Sequence, residues 1–560
     1  MLKPWWETWP NRLEYELKAL EAAGITIEDQ QRDGYRLILT LRAQVDGTDV
    51  RLIARFPDLY PFTRFEVFAP DLSLNRHQNP HLKNLCLVPL GDYWEISDTL
   101  ASYLSKQLPR VFTAATSEDP NEVAELEVHQ GEPVSHYYAC LPNAIILLNS
   151  EWGLGKALSG ELLIRGYFDA TGFVRATVTE VGSDDGTVLF RQQPLLISPS
   201  EDAIHGRWIA IEKNIAHYTP DEFADELFAM HPELRQIEGT KLPKGARIDV
   251  IGVVFPEELT WRHLGQGWVF LVRVQRKDRS ISKFLVRAGR AGESDLRKRI
   301  PELWPLQYKT IAIVGTGCLG APSCIELARA GAKELRLLDG DFVEPGTIVR
   351  WPLGFAIAGR NKVEALSYFI KANYPWTGVS ANVHRIGLSF PNSPSDIESL
   401  QSLLDGVHLL YDATAELDLQ RMLSDVAKSV GVHYVGVSST PGGWGERVIR
   451  IAAENDACRA CLDYHIADGA VPVPVSSPHG MTEAPGCNAP TFTAANFDTS
   501  EVALMGVRVA TSTLCAGEHE AYAEYKSDVS ILKLRDDHGG LIPPDWKGFP
   551  LSRHPQCQNH

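Results

Sequence analysis

Residues 311–331 have the sequence IAIVGTGCLGAPSCIELARAG, in which an apolar run leads into a glycine-rich turn and a helix-like segment follows. Gly315, Gly317 and Gly320 form the pattern G-x-G-x-x-G. The first glycine of this pattern permits a tight turn, the second lets the backbone approach a phosphate, and the third allows a helix to pack closely on a strand. The helix amino terminus favours an anion. The stretch therefore predicts a nucleotide site, and its default interpretation is a dinucleotide site.

The sequence after residue 305 alternates between apolar strand-like runs and helix-like segments. Such alternation is typical of a parallel sheet with helices on both faces. Residues 305–560 are therefore predicted to form a C-terminal α/β domain with a Rossmann-like fold. The chain has 560 residues, which is enough for several domains.

Two further domains are predicted before the α/β domain. Residues 1–120 combine amphipathic helices with alternating strands, which indicates an α+β domain. Residues 135–300 are rich in strands, contain one helix-like segment and show no catalytic pattern. We interpret this middle part as a strand-rich linker domain.

Composition excludes several classes of protein. Because 54 Lys and Arg stand against 71 Asp and Glu, the net charge is −17, and we expect no direct contact with nucleic acid. The sequence has no apolar run of about 18 residues, so no membrane span is expected. The N-terminal residues lack the apolar core of a signal peptide. Nine cysteines, an odd number, favour free thiols in the cytoplasm over a disulfide framework.

Charged residues follow the glycine loop at several strand ends and loops. Asp339 and Asp341 come about twenty residues after it, where an acidic residue contacts the ribose of a nucleotide. Arg350 and Lys362 would converge on a triphosphate and stabilise the charge that develops during nucleotidyl transfer. Asp412 ends a later apolar strand and offers oxygen ligands to Mg²⁺. A dinucleotide-dependent oxidoreductase would explain the glycines and Asp339 but not the cations.

This set of motifs resembles the adenylation domain of ubiquitin-activating enzymes and of their bacterial ThiF and MoeB relatives, over residues 305–515. The resemblance implies ATP and Mg²⁺ as cofactors, a partner protein with a C-terminal glycine-like tail that is activated as an acyl-adenylate, and a homodimer. It assigns Asp339 to the ATP ribose, Arg350 and Lys362 to the phosphates, and Asp412 to the metal. The sequence departs from the family pattern at Thr347, where the family has Asn, at Trp351, where it has Gln, and at the sequence Asp412-Ala-Thr-Ala415.

Cysteines after the predicted sheet are candidates for a thioester, since a thiolate attacks an acyl-adenylate. The context of Cys487, PGCNAPT, resembles the transfer-cysteine segment of activating enzymes, and Cys461 is the alternative. Relatives hold a structural zinc ion on two C-x-x-C pairs, whereas only Cys458 and Cys461 form such a pair here. Cys487 and Cys515 would have to complete the site, so zinc is not favoured. Cys557 is interpreted as an incidental thiol of the tail.

The N-terminal domain resembles ubiquitin-conjugating enzymes. Tyr-Pro before a strand, a cluster of His, Asn and Pro, a Cys-Leu pair and a later tryptophan carry the resemblance. It implies that Cys86 holds a thioester, that Trp94 is the family tryptophan, and that Asn79 stabilises the oxyanion during attack by an amine. His81 shares or replaces the role of Asn79.

The complete chain thus resembles bacterial fusions of conjugating and activating enzymes, in which joining two thiol sites raises their effective concentration. In the anti-phage CBASS systems, such a fusion attaches the C-terminus of a cGAS/DncV-like nucleotidyltransferase to a lysine of a target protein, and that partner is favoured here. A dedicated ubiquitin-like protein is the alternative partner. A non-catalytic scaffold with an ATP site remains a third interpretation.

Overall fold

The computed structural model describes residues 3–45, 47–87, 94–117, 119–126, 129–149, 152–169, 171, 173–193, 195, 203–242, 245–387, 395–482 and 491–559. The chain forms two compact units, one up to Ala291 and one from Gly292 onward. Among the helices described, none is both long and apolar enough to cross a membrane.

The first unit begins with a four-stranded antiparallel meander flanked by helices. Its strands follow one another in the sheet as β1 (Thr26–Asp33), β2 (Arg36–Val45), β3 (Thr48–Phe56) and β4 (Glu66–Phe68). Its helices are α1 (Trp5–Thr8), α2 (Pro10–Ala22), α3 (Leu100–Thr116) and α4 (Pro120–Val123). Alternate residues of β2 and β3 are buried, so one face of this sheet carries the core and α3 packs against it. Cys86 lies between β4 and α3.

The second part of this unit is a closed barrel. Its strands are β5 (Cys140–Leu148), β6 (Ser159–Phe168), β7 (Val174–Gly182), β8 (Val188–Arg191), β9 (Ala203–Ala210), β10 (Thr240–Lys241), β11 (Arg247–Thr260), β12 (His263–Gln275) and β13 (Ile281–Arg290). Seven of them form a ring because β9 pairs with β6 on one side and with β11 on the other. One apolar cluster draws side chains from all seven and fills the interior. Helix α5 (Pro220–Met230) contributes to a second cluster with β11, β12 and β13.

The second unit is built on an eight-stranded sheet. Its parallel strands are β14 (Thr310–Val314), β15 (Glu334–Leu338), β16 (Gly378–Asn382), β17 (Leu409–Asp412) and β18 (His433–Ser439). Antiparallel β19 (Gly445–Ile451), β22 (Val529–Arg535) and β23 (Leu541–Phe549) extend it, and β20 (Met481–Thr482) pairs separately with β21 (Thr491–Phe492). The spatial order β16-β15-β14-β17-β18 confirms the predicted Rossmann-like α/β architecture.

Helices cover both faces of the eight-stranded sheet. One apolar cluster contains residues of α7 (Gly320–Arg329), α8 (Lys362–Asn373) and α12 (Asn496–Cys515). The cluster on the other face contains residues of α9 (Asp396–Leu404), α10 (Leu417–Ser429) and α11 (Arg459–Ala467). A short helix, α6 (Glu293–Arg297), opens the unit. Because the chain leaves β14 toward β15 on one side while β17 lies on the other, the carboxyl ends of β14 and β17 flank a crevice where ligands bind in such sheets.

Candidate functional site

The three glycines after β14 serve three different physical purposes. Gly315 has a φ of +84°, and a Cβ there would lie 2.8 Å from the carbonyl of Ala413. A Cβ on Gly320 would lie 1.9 Å from the carbonyl oxygen of Gly315, so only glycine lets α7 begin this close to the strand. A Cβ on Gly317 would meet no described atom within 4 Å. The second glycine therefore presents bare backbone to open space, which is the arrangement that a phosphate needs.

The glycine loop is fixed by a carboxylate and an indole. Asp339, directly after β15, accepts hydrogen bonds from the Thr316 backbone nitrogen at 2.7 Å and from its hydroxyl at 3.1 Å. Its other oxygen accepts from the backbone nitrogen of Asp341 at 2.8 Å. The indole of Trp351 donates to the carbonyl of Thr316 at 2.8 Å. Trp351, which departs from the family pattern, thus holds the loop from the other side, and its role was not predicted from the sequence.

Lys362 and Asp341 lie together at the start of α8. The Lys362 ammonium is 2.9 Å from a carboxylate oxygen of Asp341, and its backbone nitrogen donates to the Asp341 carbonyl at 3.0 Å. Burial raises the pKa of the loop thiol Cys318, while the charges of Arg350 and Lys362 act in the opposite direction. Both cations therefore act electrostatically on the glycine loop.

Arg350 makes its own contacts with the segment that contains β21. Its guanidinium donates to the carbonyl of Phe492 and, at 3.3 Å, to the hydroxyl of Thr491. The guanidinium carbon also lies 4.8 Å from the centre of the Phe492 ring. Residues 491 and 492 follow directly on residues 483–490, which contain Cys487 and lie outside the described residues. Arg350 therefore contacts the two residues that directly follow the segment of the predicted transfer cysteine.

Asp412 ends β17 and is completely buried. One of its oxygens accepts from the backbone nitrogen and the hydroxyl of Thr414, at 3.0 and 2.8 Å, and the other accepts from the hydroxyl of Tyr434 at 2.9 Å. Burial raises the pKa of Asp412 to about 6, although these hydrogen bonds act to lower it. Asp412 pairs with Val314 across the sheet, so this carboxylate lies directly beside the start of the glycine loop.

Glu446 is a second buried carboxylic acid in this unit, and the sequence interpretation missed it. It lies on β19, and one oxygen accepts from the hydroxyl of Ser439 at 3.3 Å. The other is buried without a hydrogen-bond partner among the described residues. Burial raises the pKa of Glu446 to about 9, and the charges of Asp498 and Glu501 raise it further. The group is therefore protonated at neutral pH.

Three cysteine thiols meet on the face of the sheet covered by α11. Cys458 Sγ lies 3.9 Å from Cys461 Sγ and 3.7 Å from Cys557 Sγ, and all three residues are buried. Two sulfurs bound to one tetrahedral zinc ion lie about 3.8 Å apart, because each Zn–S bond is about 2.3 Å. The three thiols therefore fit three positions of a zinc site.

The structure corrects the predicted roles of three cysteines. Cys557 is buried 3.7 Å from Cys458, so it was wrong to interpret it as an incidental tail thiol. Cys515 packs in the cluster on the opposite face of the sheet and cannot complete the site. Cys461 is fully buried, which removes the access that a transfer cysteine needs. The sequence did not identify Cys557 as a member of this cluster, because it lies almost one hundred residues from the C-x-x-C pair and no local pattern connects them.

Cys86 lies exposed at the end of a tight hairpin in the first unit. Gln78 pairs with Leu85, and the backbone nitrogen of Cys86 donates to the carbonyl of His77 at 2.7 Å. The side-chain oxygen of Asn79 accepts from the backbone nitrogens of residues 81 and 82, both at 2.9 Å. Asn79 thus caps the turn of the same hairpin that presents Cys86.

Trp94 and His81 occupy different surroundings near this hairpin. The indole of Trp94 donates to the carbonyl of Pro61 at 2.6 Å and packs among aromatic rings of the core. His81 stacks on Tyr218, with ring centres 5.3 Å apart, and burial lowers its pKa. Its Nε2 atom is buried without a partner among the described residues. His81 therefore contacts the barrel side of the unit, which makes it a packing residue.

His77 and Glu132 are a further pair beside Cys86. A carboxylate oxygen of Glu132 lies 2.9 Å from His77 Nδ1, and the other accepts from the His77 backbone nitrogen at 2.7 Å. Burial raises the pKa of Tyr137 to about 12, and the charges of Glu132 and Cys86 add to this effect. Glu132 and Tyr137 come from the segment between α4 and β5, so the sequence pattern around Cys86 could not reveal them.

Comparison with known proteins defines the class of the second unit. Residues 302–528 match the model of the ThiF family, so this part is a ThiF-type Rossmann-like adenylation domain. ThiF-type adenylyltransferases bind ATP, in agreement with the predicted triphosphate site. The chain belongs to the same family as the uncharacterized protein y4oA of Sinorhizobium fredii, to which it is 30% identical over 586 residues, covering 99% of this chain and 97% of that protein.

Two further comparisons cover parts of the chain. The ATP-dependent ubiquitin transferase-like protein Cap2 of Pseudomonas aeruginosa is 30% identical over 176 residues, which are 30% of this chain and 29% of Cap2. The structure of MccB from E. coli with ATP covers 46% of this chain and 68% of MccB at 15% identity, with a TM-score of 0.35. That similarity is too low to compare sites residue by residue.

Proposed function

We propose that the ThiF domain activates the C-terminal carboxylate of a partner protein as an acyl-adenylate, and that the acyl group then reaches an amine through thioesters on Cys487 and Cys86. The observation that supports the first step is the convergence of open backbone at Gly317, the Lys362–Asp341 pair and Asp412 at one crevice of the sheet. The relay also rests on the N-terminal resemblance and on the exposed position of Cys86.

The adenylation step requires stabilisation of charge on phosphate oxygens. A carboxylate oxygen of the partner attacks the α-phosphorus of ATP, one P–O bond forms, and the bond to the pyrophosphate leaving group breaks. The charges of Arg350 and Lys362 reach Cys318 of the glycine loop, and in this proposal they offset the negative charge of the transferred group. Asp339 holds the loop through Thr316, and Asp339 and Asp341 would contact the ribose of the nucleotide. Mg²⁺ held at Asp412 would neutralise phosphate charge.

Arg350 also donates to the carbonyl of Phe492, five positions after Cys487 in the sequence. The proposed phosphate ligand thus contacts a residue that is close in sequence to the proposed transfer cysteine.

The relay then moves the acyl group between two sulfurs. The thiolate of Cys487 attacks the acyl-adenylate and AMP leaves; the thiolate of Cys86 attacks this thioester and the Cys487 thiolate leaves. An amine of a target lysine finally attacks the thioester on Cys86. Asn79, which caps the hairpin, would donate its side-chain amide to the oxyanion.

The partner is proposed to be a cGAS-like nucleotidyltransferase of a CBASS anti-phage system, with a dedicated ubiquitin-like protein as the second candidate. Support comes from Cap2, which is an ATP-dependent ubiquitin transferase-like protein by its name. Homodimerisation in the cytoplasm belongs to the same proposal.

Intact-protein mass spectrometry tests the complete scheme. The purified chain is incubated with ATP, Mg²⁺ and the proteins encoded beside its gene, without reductant. We expect a thiol-sensitive mass gain that equals the mass of one of these proteins less one water. In Cys86→Ala, the final conjugate with the target amine should not form. Cys86→Ala should leave ATP–pyrophosphate exchange intact, because adenylation precedes the relay. Tight NAD binding without ATP binding would instead support an oxidoreductase, and partner binding without any covalent adduct would support a scaffold.

A further inference from the structure

The His77–Glu132 pair lies directly across the hairpin from Cys86. The backbone nitrogen of Cys86 donates to the carbonyl of His77 at 2.7 Å, next to the Gln78–Leu85 bridge, so the two residues stand opposite each other at this end of the hairpin. The charges of Cys86 and of Glu132, the partner of the His77 ring, both act on Tyr137, which indicates that the thiol and the His77–Glu132 pair share one neighbourhood. The Cys86 side chain is exposed, so a reagent or an acyl group has access to it.

Glu132 holds His77 at two points. Its carboxylate binds both the backbone nitrogen and the ring of His77, and both side chains are about 85% buried. His77 has a φ of +59°, a left-handed conformation that side chains other than glycine rarely adopt and that is enriched at functional sites. The structure thus places an imidazole in an uncommon backbone conformation and fixes it with a carboxylate.

The protonation of this pair follows from its hydrogen bonds. Burial acts to raise the pKa of Glu132, but the hydrogen bonds and charge of His77, together with the charge of Arg76, outweigh burial and lower it. An ionised carboxylate only accepts hydrogen bonds, so His77 Nδ1 carries a hydrogen, and Nε2 offers its lone pair whenever the ring is in its neutral form. The groups around His77 are Glu132, Tyr137, Arg76, Glu258, which pairs with Arg76, and Cys86.

We propose that His77, oriented by Glu132, is the proton acceptor of the Cys86 site. When Cys86 attacks a thioester, its S–H proton passes to His77 Nε2, the new C–S bond forms, and the donor thiolate leaves. When a lysine amine attacks, the C–N bond forms, the C–S bond breaks, and the amine proton passes to His77 Nε2 and then to the Cys86 thiolate. The proposal rests on the proposed thioester function of Cys86, and Glu132 is its positioning residue.

Alkylation with the uncharged reagent iodoacetamide tests the proton acceptor without a partner protein or ATP. Rates at Cys86 are measured by mass spectrometry on the full-length chain between about pH 6 and pH 9, in the wild type, His77→Gln and Glu132→Gln. We expect the wild type to react about tenfold faster than either variant at about pH 6, and the rates to converge at high pH, where hydroxide replaces the imidazole as the base. Cys140 in the same molecule is the internal reference.

Identical pH profiles of Cys86 in all three proteins, with Cys140 unchanged, would overturn the proposal. Glu132→Gln keeps an oxygen for the His77 backbone nitrogen, so it still reports on the ring if His77→Gln unfolds. The experiment also separates this inference from the proposed function. A His77-dependent profile without any acyl transfer to Cys86 would contradict the conjugating function and support His77 as the proton acceptor. Acyl transfer to Cys86 with a His77-independent profile would support the conjugating function and contradict the role of His77.

Discussion

The hydroxyl of Tyr434, on β18, donates a 2.9 Å hydrogen bond to the fully buried carboxylate of Asp412 at the end of β17. This contact lies beside the glycine loop and joins the proposed metal ligand to the neighbouring strand. Burial of the pair is the reason why the pKa of Asp412 is raised to about 6. We therefore expect the stability of the fold, and the proposed metal binding at Asp412, to depend on pH.

We predict that Mg²⁺-dependent ATP–pyrophosphate exchange falls as the pH decreases through about 6, because protonated Asp412 no longer binds the cation. The free energy of unfolding should change in the opposite direction and increase as the pH decreases. An aspartate with a raised pKa keeps its proton in the folded state, so its stabilising contribution is greatest below about pH 4 and is lost as the pH rises through about 6. Asp412→Asn lacks the carboxylate that would bind the cation, so its ATP–pyrophosphate exchange should be low at every pH. If ATP–pyrophosphate exchange by Asp412→Asn has the wild-type pH profile, Asp412 is not a ligand of the metal.

Tyr434→Phe provides the matched variant for the same site. It removes the donor and keeps the ring, so we expect a loss of about 1 kcal/mol in the free energy of unfolding and an acid loss of exchange that begins at higher pH. Thermal unfolding and exchange assays at about pH 6 and pH 8 measure both effects. If exchange by Tyr434→Phe is lost at the same acid pH as in the wild type, the Tyr434 hydroxyl does not influence the protonation of Asp412.

Glu446→Gln should stabilise the protein at alkaline pH. The wild-type acid keeps its proton up to about pH 9 in the folded state and loses it near its ordinary value when unfolded, so stability falls as the pH rises between these values. The neutral amide has no such dependence. We expect a gain of at least about 1 kcal/mol at pH 8 in denaturant titrations, and none at about pH 4. A variant that is less stable at pH 8 would indicate that Glu446 binds a cation or a partner group.

The two glycines of the loop offer a matched pair of substitutions. Gly320→Ala places a methyl group 1.9 Å from the Gly315 carbonyl oxygen and should cost about 3 kcal/mol of stability. Gly317→Ala meets no described atom within 4 Å, so stability should be preserved while ATP binding weakens. Thermal unfolding with and without ATP separates the two effects. Normal ATP binding by a stable Gly317→Ala protein would exclude backbone contact with phosphate at this residue.

The thiol cluster predicts a bound metal. We expect about one zinc ion per chain by elemental analysis, and a loss of about 3 kcal/mol or more in stability after chelation. Cys557→Ser should reduce the zinc content, whereas Cys515→Ser, on the other face of the sheet, should not. A full zinc content in Cys557→Ser would show that the metal is held elsewhere.

The sequence by itself determined the local features of both sites. The G-x-G-x-x-G turn, its strand and its helix follow from residues adjacent in the chain, because glycine, periodicity and capping act over a few residues. The placement of Asp339 and Asp412 at one edge of the sheet was predictable because the ends of parallel strands share that edge, so spacing translates into position. Cys86 stood out through its neighbours in sequence.

Only the tertiary structure decided which distant residues meet these features. Glu132 reaches His77 from a segment after α4, Trp351 holds Thr316, and Cys557 joins Cys458 across 99 positions. Each contact depends on the path of a loop or tail over a packed surface, where burial and hydrogen bonding select partners with no fixed spacing. The ring of the barrel has the same origin, because it is closed by the pairing of β9 with both β6 and β11 around a common apolar interior.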